Sequence, residues 1–141
     1  MPDKSFFDTN LWVYLKAQNQ SPDDLRKQQV VQTLILNLPE IAVSVQVLNE
    51  VANVLMKKFS FPEASTGNFL DEICKEFEVA SLTPDITQRA LGLKSTYLLS
   101  WFDSLIVAAA LHTNCNVLYT EDMQDGLVIE KKLKVVNPFK H

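Results

Sequence analysis

Proline divides this chain more sharply than any other residue, and the divisions leave room for few architectures. There are six prolines in 141 residues. Two of them sit between a hydroxyl residue and an acid, in Ser21-Pro22-Asp23-Asp24 and Thr83-Pro84-Asp85. Each is a helix start: a cap, a proline at the first helical position, and carboxylates near the positive end of the helix dipole. Ser60-Phe61-Pro62-Glu63 fits a capping box, and Ser100-Trp101-Phe102-Asp103 opens another helix. Ser44 is the expected cap of a helix over Val45 to Lys58 that turns Val47, Leu48, Val51, Val54 and Leu55 inward. The helix after Pro22 is expected to bury Leu25, Val30, Leu34 and Leu38 before Pro39 stops it; a shorter one covers Leu11 to Ala17.

Between the helices lie short apolar runs: Ser5 to Phe7, Ile41 to Val43, Glu78 to Leu82, Val117 to Thr120 and Lys134 to Asn137. Short apolar strands alternating with helices predict an α/β domain, its mainly parallel sheet of four to five strands covered by helices on both faces. No internal repeat or low-complexity tract interrupts the pattern. Residues 1–141 are expected to form a single domain. Hydrophobic residues are 47% and charged residues 21% of the chain, the balance of a soluble globular protein. The longest apolar run, Leu105 to Leu111, falls far short of the roughly 20 residues a membrane span needs. With no signal-peptide pattern at the start, a cytoplasmic location is expected.

Scarce residues exclude whole chemistries. Gly67, Gly92 and Gly126 are the only glycines and are widely separated. Phosphate loops and dinucleotide fingerprints both need clustered glycine. His112 and His141 are the only histidines, Cys74 and Cys115 the only cysteines. Their spacing matches no zinc motif and offers no histidine-based triad. Both cysteines sit among apolar neighbours and are expected to be buried thiols. What remains for chemistry is oxygen ligands.

Parallel sheets bind ligands beyond the carboxyl ends of their strands. Asp8 follows the first strand, Asp122 the fourth; Glu50 lies on the helix after the second strand, Asp103 in the first turn of the helix that feeds the fourth. Each admits a plain reading: Asp8 as a turn or helix cap, Glu50 as a solvent-facing helical residue, Asp103 as the acid of a capping box, Asp122 as part of a solvated acidic turn. Their convergence on one sheet edge argues for more. Carboxylates set among apolar residues, with no lysine or arginine adjacent in sequence, repel one another and are costly to desolvate. A hard divalent cation such as Mg²⁺ or Mn²⁺ offsets both costs.

The runs FFDTN at 6–10, VLNEVANVL around Glu50, WFDSLIVAAAL at 101–111 and LYTEDMQDG at 118–126 together resemble the PIN-domain ribonucleases, and among them the VapC-type toxins of type II toxin–antitoxin pairs. The resemblance extends to VVNPF at 135–139. It implies a PIN-like α/β/α sandwich, with Asp8, Glu50, Asp103 and Asp122 as catalytic acids. Asp8, Asp103 and Asp122 would hold Mg²⁺ or Mn²⁺, supported by Thr9 and Thr120, with Asp125 a further acid of the same turn. It also implies hydrolysis of RNA to 5′-phosphate and 3′-hydroxyl ends, a small cognate antitoxin that lays an arginine across the acidic groove, and a homodimer. Trp12, Tyr14, Phe59, Phe61 and Phe69 are candidates for a dimer interface, with core packing the default for most of them.

The net charge of −4 is unusual for an RNA binder. Without the four site acids, 13 acidic residues balance 13 basic ones, so the excess negative charge belongs to the site. Lys57, Lys58, Lys94, Lys131, Lys132 and Lys134 are candidate phosphate contacts. Three other readings compete. A phosphatase using Asp8 as nucleophile expects a second aspartate two residues on, where Asn10 stands. A receiver-like domain has no need of acids at Glu50 and Asp103. A catalytically inactive PIN fold would bind RNA or a partner without cutting.

Overall fold

The computed structural model describes residues 3–17 and 21–140; His141 lies outside them. In chain order the elements are β1 (Lys4–Phe7), α1 (Thr9–Lys16), α2 (Pro22–Asn37), β2 (Glu40–Ser44), α3 (Val45–Lys58), α4 (Glu63–Glu76), β3 (Glu78–Ala80), α5 (Pro84–Tyr97), α6 (Trp101–His112), β4 (Val117–Tyr119), β5 (Val128–Ile129) and β6 (Leu133–Val136). The strands form one sheet in the order β3-β2-β1-β4-β6-β5, parallel except for the β5–β6 pair. This is the expected α/β class, with six strands where four to five were predicted.

The strand order creates the site. From β1 the chain steps outward to β2 and β3, then returns to lay β4 on the other side of β1. The direction of winding reverses between β1 and β4, and a crevice opens there past the strand ends. β2 is buried on both faces along Ile41–Ser44, with α3 and α6 packed on it. The α1, α2, α3 and α4 helices are linked by mutual contacts, and α5 pairs with α6. In α6 every residue from Ser104 to Leu111 is buried, as suits a helix that is apolar on all sides.

Local chemistry explains most boundaries. Ser21, Ser44, Thr83 and Ser100 each accept a backbone N–H three residues on. The capping box at Ser60 does not form. Pro62 is the cap of α4 and makes no side-chain bond, because Ser60 is turned aside at φ 56°. In α2 only Val31 is fully buried, and Leu25 is 48% exposed. That helix lies on the outside over α1 and covers less surface than its apolar positions suggest. β5 was invisible because its hairpin turns through Glu130 and Lys131, both at positive φ. Such turns normally announce themselves with Asn or Gly.

One more expectation is corrected. Cys74 is exposed, since the buried stripe of α4 runs Thr66, Phe69, Ile73 and leaves it off the face. Cys115 is buried as expected, 3.3 Å from the Thr113 hydroxyl. Trp12 and Phe69 are 0% and 4% exposed and so belong to the core, unavailable to a dimer interface. Trp12 packs between Phe7 and Phe77, at 5.3 and 5.1 Å between ring centres, and donates its indole N–H to the Phe7 carbonyl at 3.2 Å. Among the described residues no helix is long and apolar enough to cross a membrane.

Because Trp12 joins β1 to α4 through one ring, Trp12→Ala is expected to cost about 3–5 kcal/mol. Urea unfolding followed by far-UV circular dichroism measures it; a loss under about 1 kcal/mol contradicts a core role.

Candidate active site

β1 ends at Phe7 and α1 begins at Thr9, which leaves Asp8 as the hinge between them. Its backbone N–H still pairs across to the Tyr119 carbonyl at 3.0 Å, so the residue sits in register with β4. The side chain is 4% exposed. One carboxylate oxygen accepts the Thr9 N–H and caps α1; the other accepts the Thr120 hydroxyl, both at 2.7 Å. Thr120 is itself tied to β6 through the Val136 carbonyl, and its hydroxyl oxygen accepts the Asp122 N–H at 3.1 Å. One threonine therefore sets two acids at once.

The helices bring the other two. Glu50 on α3 accepts the Thr9 hydroxyl at 2.6 Å and the Gln46 amide at 3.2 Å. Gln46 also reaches the Phe102 carbonyl at 3.3 Å, which fixes α3 against the first turn of α6. Asp103 in that turn gives its N–H to the Ser100 hydroxyl. Asp122 is exposed and accepts the Asn10 amide at 3.1 Å. Asp8, Glu50, Asp103 and Asp122 all line one cavity of about 430 Å³ at this sheet edge, together with Thr9, Asn10, Lys58 and Phe102.

Asp125 is not among those lining residues. Its carboxylate accepts the Asn137 N–H at 2.8 Å and ties the acidic turn to the segment after β6. Of the lysines considered for phosphate, Lys58 alone lines the cavity. Gln46, Lys27 and Glu121 enter the site or its rim without having been singled out in the sequence, and Asn10 and Tyr14 enter it in roles other than those considered for them. For Gln46 the signal was there: it lies four residues before Glu50 on one helix face. For the others, contact spans 13 to 112 residues, and no local pattern reports it.

The electrostatics are unfavourable for an empty acidic site. Burial, partly opposed by the Thr120 and Thr9 hydrogen bonds, pushes Asp8 from 3.8 up to about 6, and the charges of Asp122 and Asp103 push the same way. Burial also raises Asp103, with the Glu50 charge adding to it, and raises Asp122, with Glu121, Asp103 and Glu50 adding. Among the described residues none of the four acids has a lysine or arginine within salt-bridge distance.

The donor set fits a hard cation. It is all oxygen, and the buried Asn10 amide oxygen beside it has no partner. Among the described residues, however, no three acidic, histidine or cysteine side chains are close enough together to form a metal site. An ion here would complete its shell with water, as Mg²⁺ commonly does.

The PIN domain profile matches residues 5–124, which spans all four acids. This chain belongs to the PIN domain family. A toxin–antitoxin complex from Klebsiella pneumoniae contains a similar chain, 25% identical with a TM-score of 0.67, covering 95% of this chain and 97% of that one. VapC20 of Mycobacterium tuberculosis, a toxin that cleaves the sarcin–ricin loop, aligns with a TM-score of 0.70 at 16% identity, over 89% and 97% of the two chains. VapBC2 of Rickettsia felis, bound to a DNA fragment from its promoter, aligns at 0.64 and 22% identity over 94% and 96%. Among curated proteins no sequence matches significantly.

The raised Asp8 sets a pH dependence with a definite sign. Between pH 3.8 and about 6 the folded PIN domain binds more protons than the unfolded chain, so stability falls as pH rises through that window. A shift of this size corresponds to about 3 kcal/mol lost above pH 6. Asp8→Asn removes that loss. In chelator it is expected to gain about 2–3 kcal/mol on the native protein between pH 4 and pH 7.5, read by urea unfolding at both values. An identical pH response in the two proteins would show that Asp8 titrates normally.

Proposed function

We propose that this PIN domain is a metal-dependent endoribonuclease and the toxin of a toxin–antitoxin pair. The observation that carries the reading is the cavity at the β1–β4 switch point, where four acids from four parts of the chain meet without a basic salt-bridge partner. A cluster with no use for a cation would relieve its repulsion with arginine or lysine. The similarity to a Klebsiella toxin–antitoxin complex supports the toxin role, and the fold shared with a toxin that cuts the sarcin–ricin loop supports RNA as substrate.

In this reading Asp8, Asp103 and Asp122 hold Mg²⁺ or Mn²⁺, directly or through water. A bound divalent cation activates water for attack and neutralises charge developing on the phosphodiester. Glu50, oriented by Thr9 and Gln46, directs the attacking water and accepts its proton. Thr9 and Thr120 keep the acids in place; Lys58 faces the phosphates. Because water rather than the ribose hydroxyl would attack, no histidine pair is required, and departure of the 3′ oxygen would leave 5′-phosphate and 3′-hydroxyl ends, as the family resemblance implies. A small cognate antitoxin silences the site by setting an arginine against the carboxylates, a pairing that is bidentate and charge-matched. The active species is a homodimer in the cytoplasm.

Incubating purified protein with a mixed RNA pool and with structured tRNA and ribosomal RNA tests the reading. Cleavage in Mg²⁺ or Mn²⁺ is expected to stop in chelator and to fall at least about 100-fold in Asp8→Asn and Asp103→Asn. Cleavage that persists in chelator, or in both variants, rejects the mechanism.

A further inference from the structure

Glu121 is the one acid of the cavity that already has a cation. It lines the same cavity as Asp122, its neighbour in sequence, yet both of its oxygens are taken. Oε1 accepts the Tyr14 hydroxyl, and Oε2 lies 2.9 Å from the Lys27 ammonium. Lys27 is held on every side. It donates to the Tyr14 hydroxyl at 3.2 Å, lies 3.7 Å from Asp23, and sits 5.0 and 5.3 Å from the ring centres of Tyr14 and Phe139. Tyr14 and Phe139 meet edge to face at 5.4 Å. Tyr14 and Lys27, from two helices, thus meet one carboxylate at the rim of the site, and Phe139 packs against both of them.

Stability is a poor explanation for such a cluster. The lysine and glutamate side chains are only 18% and 20% exposed, and an ion pair drawn out of water to that extent commonly does no better than an apolar pair of the same size. Holding a carboxylate in one place is what it does well. The two neighbouring acids have different partners: the Asp122 carboxylate accepts the Asn10 amide, while that of Glu121 is held by Lys27 and Tyr14. Released, Glu121 would be a fifth oxygen-donor acid in the cavity. It would take a coordination position from water and add negative charge where a phosphodiester must approach.

We propose that Lys27 and Tyr14 sequester Glu121, so that Asp122 alone serves the cation from this turn. The proposal rests on the nuclease reading above. Lys27 is a positioning residue: it holds Glu121 by direct contact, and its charge also favours the ionised form of Asp122.

The test titrates Mn²⁺ into the full-length protein by isothermal calorimetry and, separately, follows RNA cleavage at saturating Mn²⁺. In Lys27→Met the unrestrained carboxylate should tighten Mn²⁺ binding at least about threefold while cleavage falls at least about tenfold. Lys27→Arg, which can still pair with Glu121, should stay within about twofold of the native protein in both. Adding Glu121→Gln to Lys27→Met should return Mn²⁺ affinity to the native range and restore most of the cleavage; a merely structural lysine would not be rescued this way. Tyr14→Phe, which keeps the ion pair, should shift both readouts in the same directions but less, and it carries the test if Lys27→Met does not fold. Unchanged or weakened Mn²⁺ binding in Lys27→Met, or no rescue in the double variant, overturns the proposal. Asp8→Asn is the reference: if it still binds Mn²⁺ like the native protein, the nuclease reading fails, whatever Lys27 does.

Discussion

The hydrogen bond from the Thr120 hydroxyl to the buried Asp8 carboxylate joins the two strands between which the sheet reverses direction. Asp8 at once follows β1, caps α1 and is the most buried acid of the cavity. A carboxylate buried to this degree would ordinarily be eliminated or matched with a base. Here it is held by a hydroxyl and a backbone N–H, which favour the charged form only in part. Its pKa therefore remains about 6. The site is built to be unfavourable by itself, as expected of a cavity whose energy is recovered when a ligand binds.

The rest of the site is arranged around that bond by pairs of shared contacts. Thr120 serves Asp8 and Asp122, Thr9 serves Asp8 and Glu50, and Gln46 serves Glu50 and the first turn of α6. No acid is placed by its own element alone. Moving α1 would disturb Asp8 and Glu50 together, and α3 is tied to the turn that carries Asp103, which is why the capped helix starts matter to chemistry as well as to stability. The Lys27–Tyr14–Glu121 cluster extends the scheme outward, to a fifth acid that lines the same cavity and is ion-paired there.

Much of this was legible in the residues. The helix over Val45–Lys58 begins and ends where Ser44 and the paired lysines predict, because capping and end charge act within one turn. The four acids were separable from the other thirteen because each follows a strand end or sits among apolar neighbours. Errors and open choices arose wherever a local pattern had two possible outcomes. Cys74 sits among apolar residues but beside the buried stripe of its helix rather than on it; Trp12 and Phe69 could have served core or interface; Glu130-Lys131 makes a left-handed turn that neither residue type favours.

What the sequence determined by itself was the helices and most of the strands, together with four acids that the cavity brings together, since periodicity, caps and strand ends are encoded within a few residues. Tertiary structure alone decided the strand order, and with it the meeting of Asp8 with Thr120 and of Asn10 with Asp122, each pair 112 residues apart in the chain. It also decided that Glu121 is paired while Asp122 is not. Those outcomes depend on which surfaces pack together, and packing between distant segments leaves no periodic trace in the chain that makes it.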